Sequence, residues 1–489
     1  MGAIPLSERV TENGEEQREA AQTAPHLWKI SSVAILGAFL AQMDATIVNV
    51  SLSSLALELH TTLSNIQWVT SGYLLALALT LPLSGWLVDR IGLKAVYLWS
   101  FAAFTLTSAL CGLAWSANSL IGFRILQGVS GGLLAPMAQL LVVRAAKDRM
   151  TRVLSFAAMP VLLAPLLGPT IAGALLHFAS WRWLFLVNLP FGALAFTLAA
   201  LFLPQDRHER RPRRLDLIGL GLLSPSIVLF LFGSERLAAP AGLAALTLSA
   251  LLFGVFLWWA RKRKDEAIVD LRLFKDRFFS AAVGATFLSQ GVSFAGQMLV
   301  PAFLMRVADL SPGGTGLLLA AQGLGMMISY PLVGSLVERL GNRLVSVGGA
   351  LTSLAGTLPF IYLSGHGPAH TLIAGALFVR GMGLSCIGIP SISAAYVSVK
   401  RENLPMATTT LNIVMRMGGP TLTTICATFL GWRLTASATA PVSTAYGAAF
   451  VLLCGFHLVL CAAAMRLPRR AGRASAQPRP ASAETGNGG

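Results

Sequence analysis

The sequence predicts an all-α polytopic membrane protein, on the strength of its composition, its long apolar segments and the placement of its basic residues. Of 489 residues, 55% are apolar and only 12% are charged, whereas about 25% are charged in ordinary soluble domains. In the core of a bilayer, helices satisfy their backbone groups internally. The 47 glycines and 24 prolines fit this class, because both residues are commoner in membrane helices than in soluble ones.

Fourteen segments are long and apolar enough to cross a bilayer, at about 20 residues per span. Their predicted extents are 30–56, 66–88, 93–115, 118–142, 153–178, 183–203, 216–234, 242–260, 278–305, 314–337, 343–363, 370–396, 406–430 and 445–465. Basic loops at 205–215 and 261–277 bracket the seventh and eighth spans. We therefore predict five regions: a disordered cytoplasmic tail (1–27), a six-helix half (28–203), two inserted helices with basic flanking loops (204–277), a second six-helix half (278–466) and a disordered cytoplasmic tail (467–489).

The basic residues predict the orientation of these spans. With both termini inside, 30 of the 37 Lys and Arg residues fall in inner segments, four in outer loops and three within helices. Inner loops of membrane proteins carry such an excess, so we predict a multi-pass protein of the plasma membrane (a bacterial inner membrane) with cytoplasmic termini. The net charge of +16 then reflects topology, and nucleic-acid binding is not expected.

An internal repeat supports the division into two halves. The first copy carries Gly85, Asp89, Arg90, Gly92 and Lys94, and the second carries Gly334, Glu338, Arg339, Gly341 and Arg343 at the same spacing. A tight inner turn needs the second glycine, while the acid and base can engage helix ends or the opposite half. Arg124 and Arg380 form a weaker correspondence. Duplicated halves with a site between them are the usual construction of secondary transporters.

Asp44 is the residue around which we expect the bundle to be organised. It lies in the middle of the first apolar span, where an ionised carboxylate costs several kcal/mol. A carboxylate at that depth can load and release a proton as access alternates between the two faces. The structural alternative is a polar residue hydrogen-bonded to a neighbouring helix.

The fourth span offers Asp44 a partner. Arg124, Gln127 and Gly128 share one helix face, and a buried Arg near Asp44 could couple proton release to conformation. The alternative is an Arg held by backbone carbonyls. The polar candidates for substrate binding are Asn49, Gln127, Arg380 and Arg416. Asn49 lies about 140 degrees around the helix from Asp44 and could instead bond a neighbouring helix.

Other chemistries are disfavoured. Gly128-Val-Ser130-Gly-Gly fits G-x-S-x-G literally, but it lies in a predicted membrane helix rather than a strand–turn–helix elbow. No Walker A motif occurs, so direct ATP drive is not expected. The five cysteines form no CxxC pair, and His366 with His370 lacks a neighbouring acid or Cys. We therefore expect no enzyme, no metal and no cofactor.

Several segments together resemble the major facilitator superfamily, in particular its 14-helix drug:proton antiporter branch (the EmrB/QacA type). They are residues 43–50 with Asp44 and Asn49, the loop motif at 85–94, Arg124-Gln127-Gly128, Gly168-Pro169 with Gly173, 181–192 with Asn188, 268–278, and 412–419 with Arg416. Ala164 and Ala172 stand where the family's fifth-helix motif often has glycine. The short outer loop at 431–444 gives no basis for predicting a periplasmic adaptor.

The resemblance implies a major facilitator fold and a proton-coupled multidrug efflux antiporter that exports small amphipathic toxic compounds by alternating access. It implies proton coupling through Asp44 and Arg124. The expected gating residues are Gly85, Asp89, Arg90, Gly92, Gly168, Pro169, Gly173, Gly334, Glu338 and Arg339. Three arginines against one mid-depth acid favour neutral, zwitterionic or monovalent cationic substrates over dications. A dedicated exporter of one antibiotic, siderophore or metabolite, or an uptake symporter, remains open; a membrane enzyme or a sensor is disfavoured.

Overall fold

The computed structural model describes residues 6–146, 150–205, 214–237, 239–367, 369–436 and 441–468, and side chains from residue 28 onward except at 50, 161–163, 165, 166, 169, 170, 265 and 312. Within these ranges the chain is helical and contains no strand. The helices are α1 (Leu6–Glu58), α2 (Leu63–Ile66), α3 (Trp68–Thr80), α4 (Leu83–Ile91), α5 (Leu93–Gly112), α6 (Ala117–Ala146), α7 (Met150–Phe178), α8 (Trp183–Leu186), α9 (Asn188–Phe202), α10 (Leu217–Glu235), α11 (Pro240–Arg263), α12 (Arg277–Arg306), α13 (Pro312–Thr357), α14 (Pro359–His366), α15 (His370–Val397), α16 (Leu404–Ala436) and α17 (Val442–Ala464).

Every predicted span coincides with helix. In the described part of the chain, eleven helices are long and apolar enough to cross a membrane, or twelve if the pair Leu63–Thr80 and Leu83–Ile91, bent by 55°, forms one span. One of the eleven, Gly313–His366, covers two predicted spans, because its backbone leaves the helix at Gly341. The fifth predicted span lies in α7. The total of fourteen spans remains a prediction.

The tails differ from their prediction where the structure describes them. Helix α1 begins at Leu6, so most of the segment predicted to be a disordered tail has helical backbone. The segment is rich in Glu, and Glu is also a good helix former. At the other end, only residues 467 and 468 of the predicted tail at 467–489 lie in the described part of the chain.

Of the two inserted helices, α10 packs against both halves. Ser224 Oγ of α10 donates to the Leu79 carbonyl of the first half at 2.9 Å, and Thr424 Oγ1 of the second half donates to the Ser234 carbonyl at 3.4 Å. Helix α11 lies against α10, where Ser249 Oγ donates to a backbone carbonyl at 2.7 Å. The pair therefore lies along one side of the junction between the halves.

Asp216 fastens this inserted unit together. Its carboxylate accepts hydrogen bonds from the Gly219 amide (2.9 Å), Trp259 Nε1 (2.9 Å) and the Ile268 amide (3.3 Å). One side chain therefore caps the start of α10, holds the end of α11 and anchors the linker that follows.

The first glycine of each repeat copy lies where the halves meet. A Cβ on Gly85 would lie 2.8 Å from Thr409 Oγ1 of α16, and one on Gly334 would lie 2.7 Å from the Arg152 Cα of α7. Each half therefore contributes a glycine that lets a helix of the other half approach its backbone. We call the end of the bundle where these contacts lie the inner end, because it carries the basic loops.

The remaining repeat positions form matching turns. Gly92 and Gly341 have φ values of 91° and 83°, a conformation that favours glycine, as the repeat predicted. Lys94 Nζ donates to the Ala200 and Leu203 carbonyls at 2.7 Å, at the end of α9. Arg343 Nε likewise donates at 2.7 Å to the carbonyl of residue 467, after α17. Each base thus holds the C-terminal end of the last helix in its own half.

The acidic positions of the two copies differ. Asp89 is buried, whereas Glu338 is exposed, as are the neighbouring arginines Arg90 and Arg339. The glycines and the basic residues therefore have the same structural role in both copies, whereas the acidic residues lie in different surroundings.

Side-chain hydrogen bonds join the halves at the inner end. Ser84 Oγ meets Thr409 Oγ1 at 2.8 Å, and Thr151 Oγ1 meets Ser393 Oγ at 2.6 Å. A third contact is donated by Asn412 Nδ2 to Gln139 Oε1 at 3.0 Å. We call these three contacts the inner seal, and the space between the halves beyond them the cleft.

Helix α6 offers a matched test of close packing. A Cβ on Gly128 would clash with the Tyr73 carbonyl of α3, whereas one on Gly122 would meet nothing within 4 Å. We expect Gly128→Ala to destabilise the protein by about 1–3 kcal/mol through overpacking. Gly122→Ala should be neutral or stabilising by up to about 1 kcal/mol, since alanine favours helix. Thermal unfolding in detergent measures both, and equal melting temperatures would contradict the packing.

Candidate functional site

Asp44 lies fully buried inside the first half and accepts three hydrogen bonds. Arg124 Nη1 donates to Oδ2 at 2.6 Å, Asn188 Nδ2 to Oδ1 at 2.7 Å, and Gln127 Nε2 to Oδ1 at 3.2 Å. All four side chains are 0% exposed. We call them the Asp44 network. Because each partner donates, the geometry suits an ionised carboxylate, which only accepts.

Three helices position these groups. Helix α1 supplies Asp44, α6 supplies Arg124 and Gln127 one turn apart, and Asn188 is the first residue of α9. Arg124 Nη1 also donates to Gln127 Oε1 at 2.7 Å, so the two α6 side chains orient each other. The contact that the sequence suggested between Asp44 and Arg124 is therefore present.

The guanidinium of Arg124 is held on several sides. Its Nε donates to the Val69 carbonyl at 3.1 Å, and the Tyr73 ring lies over it with the centroid 4.0 Å from Cζ. Its Nη2 is buried without a hydrogen-bond partner in the described part of the chain. A buried ion pair broken by loss of one partner costs about 3–5 kcal/mol, so the contact between Asp44 and Arg124 holds α1 against α6.

Asn188 is a site residue that the sequence reasoning did not single out. Besides Asp44, its Nδ2 contacts Ser108 Oγ at 3.1 Å, and that hydroxyl donates to the Phe185 carbonyl at 2.9 Å. Its Oδ1 is buried and has no partner among the described residues. Rotation of the amide would turn this acceptor toward a protonated Asp44, so one side chain can serve both protonation states. The available signal was its place in the 181–192 segment.

The second half repeats the arginine but not the acid. Arg380 of α15 is 0% exposed; its Nη1 donates to Gln322 Oε1 at 2.9 Å and its Nη2 to the Val292 carbonyl at 3.0 Å. Gly296 makes room for it, since a Cβ there would clash with the guanidinium. Within the described ranges no carboxylate pairs with Arg380, so the alternative of an arginine held by neutral acceptors fits it.

The other predicted substrate-binding residues are dispersed. Gln127 belongs to the Asp44 network and is sealed from solvent. Asn49 is exposed and makes no hydrogen bond within the part of the chain the structure describes. Arg416 is partly exposed and lies one helical turn beyond Asn412 of the inner seal. Of the four candidates, Arg416 is the one placed at the edge of the cleft.

Helix α7 packs against the segment of α1 that carries Asp44. A Cβ on Gly168 would clash with Thr46 Oγ1, and that hydroxyl donates to the Ala164 carbonyl at 3.3 Å. A Cβ on Gly173 would meet nothing within 4 Å. The predicted gating residue Pro169 has a side chain outside the described residues. Gly168 is therefore the motif position that brings the two helices together.

The sequence was compared with known protein families and with individual proteins. Residues 34–268 and 281–482 match the Major Facilitator Superfamily. The chain is 32% identical over 419 residues to the multidrug resistance protein B homolog of Mycobacterium tuberculosis, covering 83% of this chain and 77% of that protein.

Two solved structures share the fold at 14% sequence identity. The human organic anion transporter MFSD10 has a TM-score of 0.60 over 90% of this chain and 99% of its own. The proton:xylose symporter XylE has a TM-score of 0.59 over 89% of this chain and 96% of its own. With its two arginine-bearing halves and its match over most of the sequence, the chain belongs to the Major Facilitator Superfamily of membrane transporters.

Proposed function

We propose that the protein is a proton-coupled multidrug efflux antiporter of the 14-helix branch, which exports small amphipathic toxic compounds across a bacterial inner membrane. The observation that carries the proposal is the Asp44 network. Among the described residues, Asp44 is the one acidic side chain with no exposure at all, and its carboxylate accepts hydrogen bonds from three side chains. A transmembrane carboxylate in such surroundings is a site for loading and unloading a proton.

The proposed cycle alternates between two open forms. With the inner seal closed, loosening of the Asp44 network toward the outer side lets Asp44 take up a proton, and the outward-facing carrier releases its substrate. Inward opening then exposes Asp44 to the more alkaline cytoplasm, where it loses the proton and the carrier rebinds substrate. The proton gradient is the energy source and no cofactor takes part. Each proton that crosses gains about 2.3 kcal/mol per 100 mV of membrane potential.

A dedicated exporter of one antibiotic, siderophore or metabolite is the second candidate, and an uptake symporter the third. The similarity to a multidrug resistance protein favours broad export. A susceptibility and efflux screen with and without the gene, repeated with a protonophore, separates them. Broad protection that the protonophore abolishes supports the proposal, while protection against one compound favours the dedicated exporter.

We expect Asp44→Asn to abolish proton-driven efflux while the protein still inserts, because the amide cannot exchange a proton. Glu58→Gln is a matched control, since it removes an exposed acid from the outer end of the same helix and should leave efflux unchanged. Efflux from energised inverted vesicles is the measurement. Undiminished pumping by Asp44→Asn would exclude the assigned role.

The inner seal tests alternating access directly. The hydroxyl groups of Thr151 and Ser393 lie 2.6 Å apart across the halves, so cysteines at these positions fit the reach of a disulfide. In a background without the five native cysteines, oxidation of the double variant should stop transport and a reductant should restore it. Each single-cysteine variant is the control. Full transport with the disulfide formed would rule out opening at this end.

Asn188→Ala tests whether the hydrogen bond from Asn188 to the Asp44 carboxylate matters for transport. It removes one of three hydrogen bonds to a charged group, each contributing about 1.5–3 kcal/mol, so we expect slower efflux and a lower melting temperature. Ser108→Ala is the matched control, because its hydroxyl contacts the amide and not the carboxylate. Efflux by Asn188→Ala at the wild-type rate would show that Asn188 has no part in the site.

A further inference from the structure

Arg416 is a cation that nothing among the described residues neutralises. It lies in the middle of α16 and is partly exposed, and in the described part of the chain its guanidinium takes part in no hydrogen bond and no ion pair. Arg124 is neutralised by Asp44, and Arg380 donates to an amide and a carbonyl. Of the three arginines within spans, Arg416 is therefore the one whose guanidinium has no partner at all in the described part of the chain.

The position of Arg416 follows from its helix face. Thr409 and Asn412 of α16 point at the first half and form part of the inner seal. Arg416 comes one turn after Asn412 on the same face. It is also close enough to Tyr73, on α3 of the first half, for an electrostatic interaction. The guanidinium thus lies at the floor of the cleft, immediately outside the seal.

A second unsatisfied polar group lies on this face. Thr423 follows Arg416 by two turns, and its Oγ1 is buried without a hydrogen-bond partner among the described residues. Across the cleft, α6 presents the apolar residues Ile125 and Val129, which are 41% and 40% exposed. They share a helix face with Gln139 of the seal. The α16 side of the cleft is therefore polar and cationic, and the α6 side is apolar.

We infer that Arg416 binds an oxyanion of the transported compound, so that the substrates are amphipathic molecules carrying a carboxylate, sulfonate or phosphate. A planar guanidinium matches these groups with two parallel hydrogen bonds, and an unpaired charge at this depth is expensive without a counter-ion. The apolar wall suits the rest of such a molecule. The inference rests on the proposed function and narrows its substrate class to organic anions and zwitterions.

Two matched probes test the site: naphthalene-1-sulfonate, and naphthalene-1-sulfonamide, which has the same ring without the charge. Titration calorimetry on the purified full chain should give at least about tenfold tighter binding of the sulfonate, the effect of a charge-assisted hydrogen bond. Arg416→Gln should remove the preference, and Arg416→Lys, which keeps the charge, should retain part of it. Arg433→Gln, the same change near the outer end of α16, should keep it in full.

The outcomes separate the possibilities. A wild type that binds both probes equally, or an Arg416→Gln protein that keeps the preference at an unchanged melting temperature, overturns the inference. Displacement of the sulfonate by an equal concentration of inorganic sulfate would assign the site to a small ion and overturn the amphipathic substrate. Because binding needs no gradient, failure of proton-driven efflux with the preference intact would count against the proposed function alone.

Discussion

The structure depends on one constraint: a carboxylate inside a membrane bundle must be surrounded by donors. Asp44 meets this requirement with hydrogen bonds from α6 and α9, so the relative depth and rotation of three helices are fixed by one side chain. Close approach of α3 to α6 at Gly128 brings the Tyr73 ring over Arg124 and closes the site from the remaining side. Any conformation that lets water reach Asp44 must loosen these contacts, so in the proposed cycle proton access and helix movement go together.

The two halves share a frame and differ in chemistry. In each, an arginine from the helix before the inner loop reaches the first helices of its half, and a base holds the end of the last helix. The carboxylate is present in one half alone, and Arg380 finds a carbonyl and an amide in its place. In the proposed cycle, proton exchange is therefore confined to the first half, and the second half supplies the surface against which the first half moves. Arg416 belongs to that surface.

The sequence predicted the features that depend on the spacing of residues and on the free-energy cost of burying a charge in the membrane. Apolar length placed each predicted span within helix, the glycine spacing located both turns with positive φ, and the depth of Asp44 made Arg124 its expected partner. It did not predict Asn188, because an amide at the start of an apolar helix carries no sign of which neighbour it faces. Nor did it separate Arg380 from Arg416. Both are arginines within spans, and whether a guanidinium finds hydrogen-bond acceptors among the described residues depends on partners from other helices.

The contacts of the inserted helices are compatible with the movement of the two halves in the proposed cycle. Helix α10 contacts the first half at two levels, through Ser224 with the Leu79 carbonyl and through Phe232, which stacks on Trp68 with ring centroids 6.4 Å apart. Its polar contact with the second half is the longer one, 3.4 Å from Thr424, and the rest of that boundary is apolar packing near Ile413. Sliding one apolar surface over another costs less free energy than breaking a buried hydrogen bond. The inserted pair should therefore travel with the first half when the inner seal opens, leaving the face of α16 that carries Arg416 free to move past it.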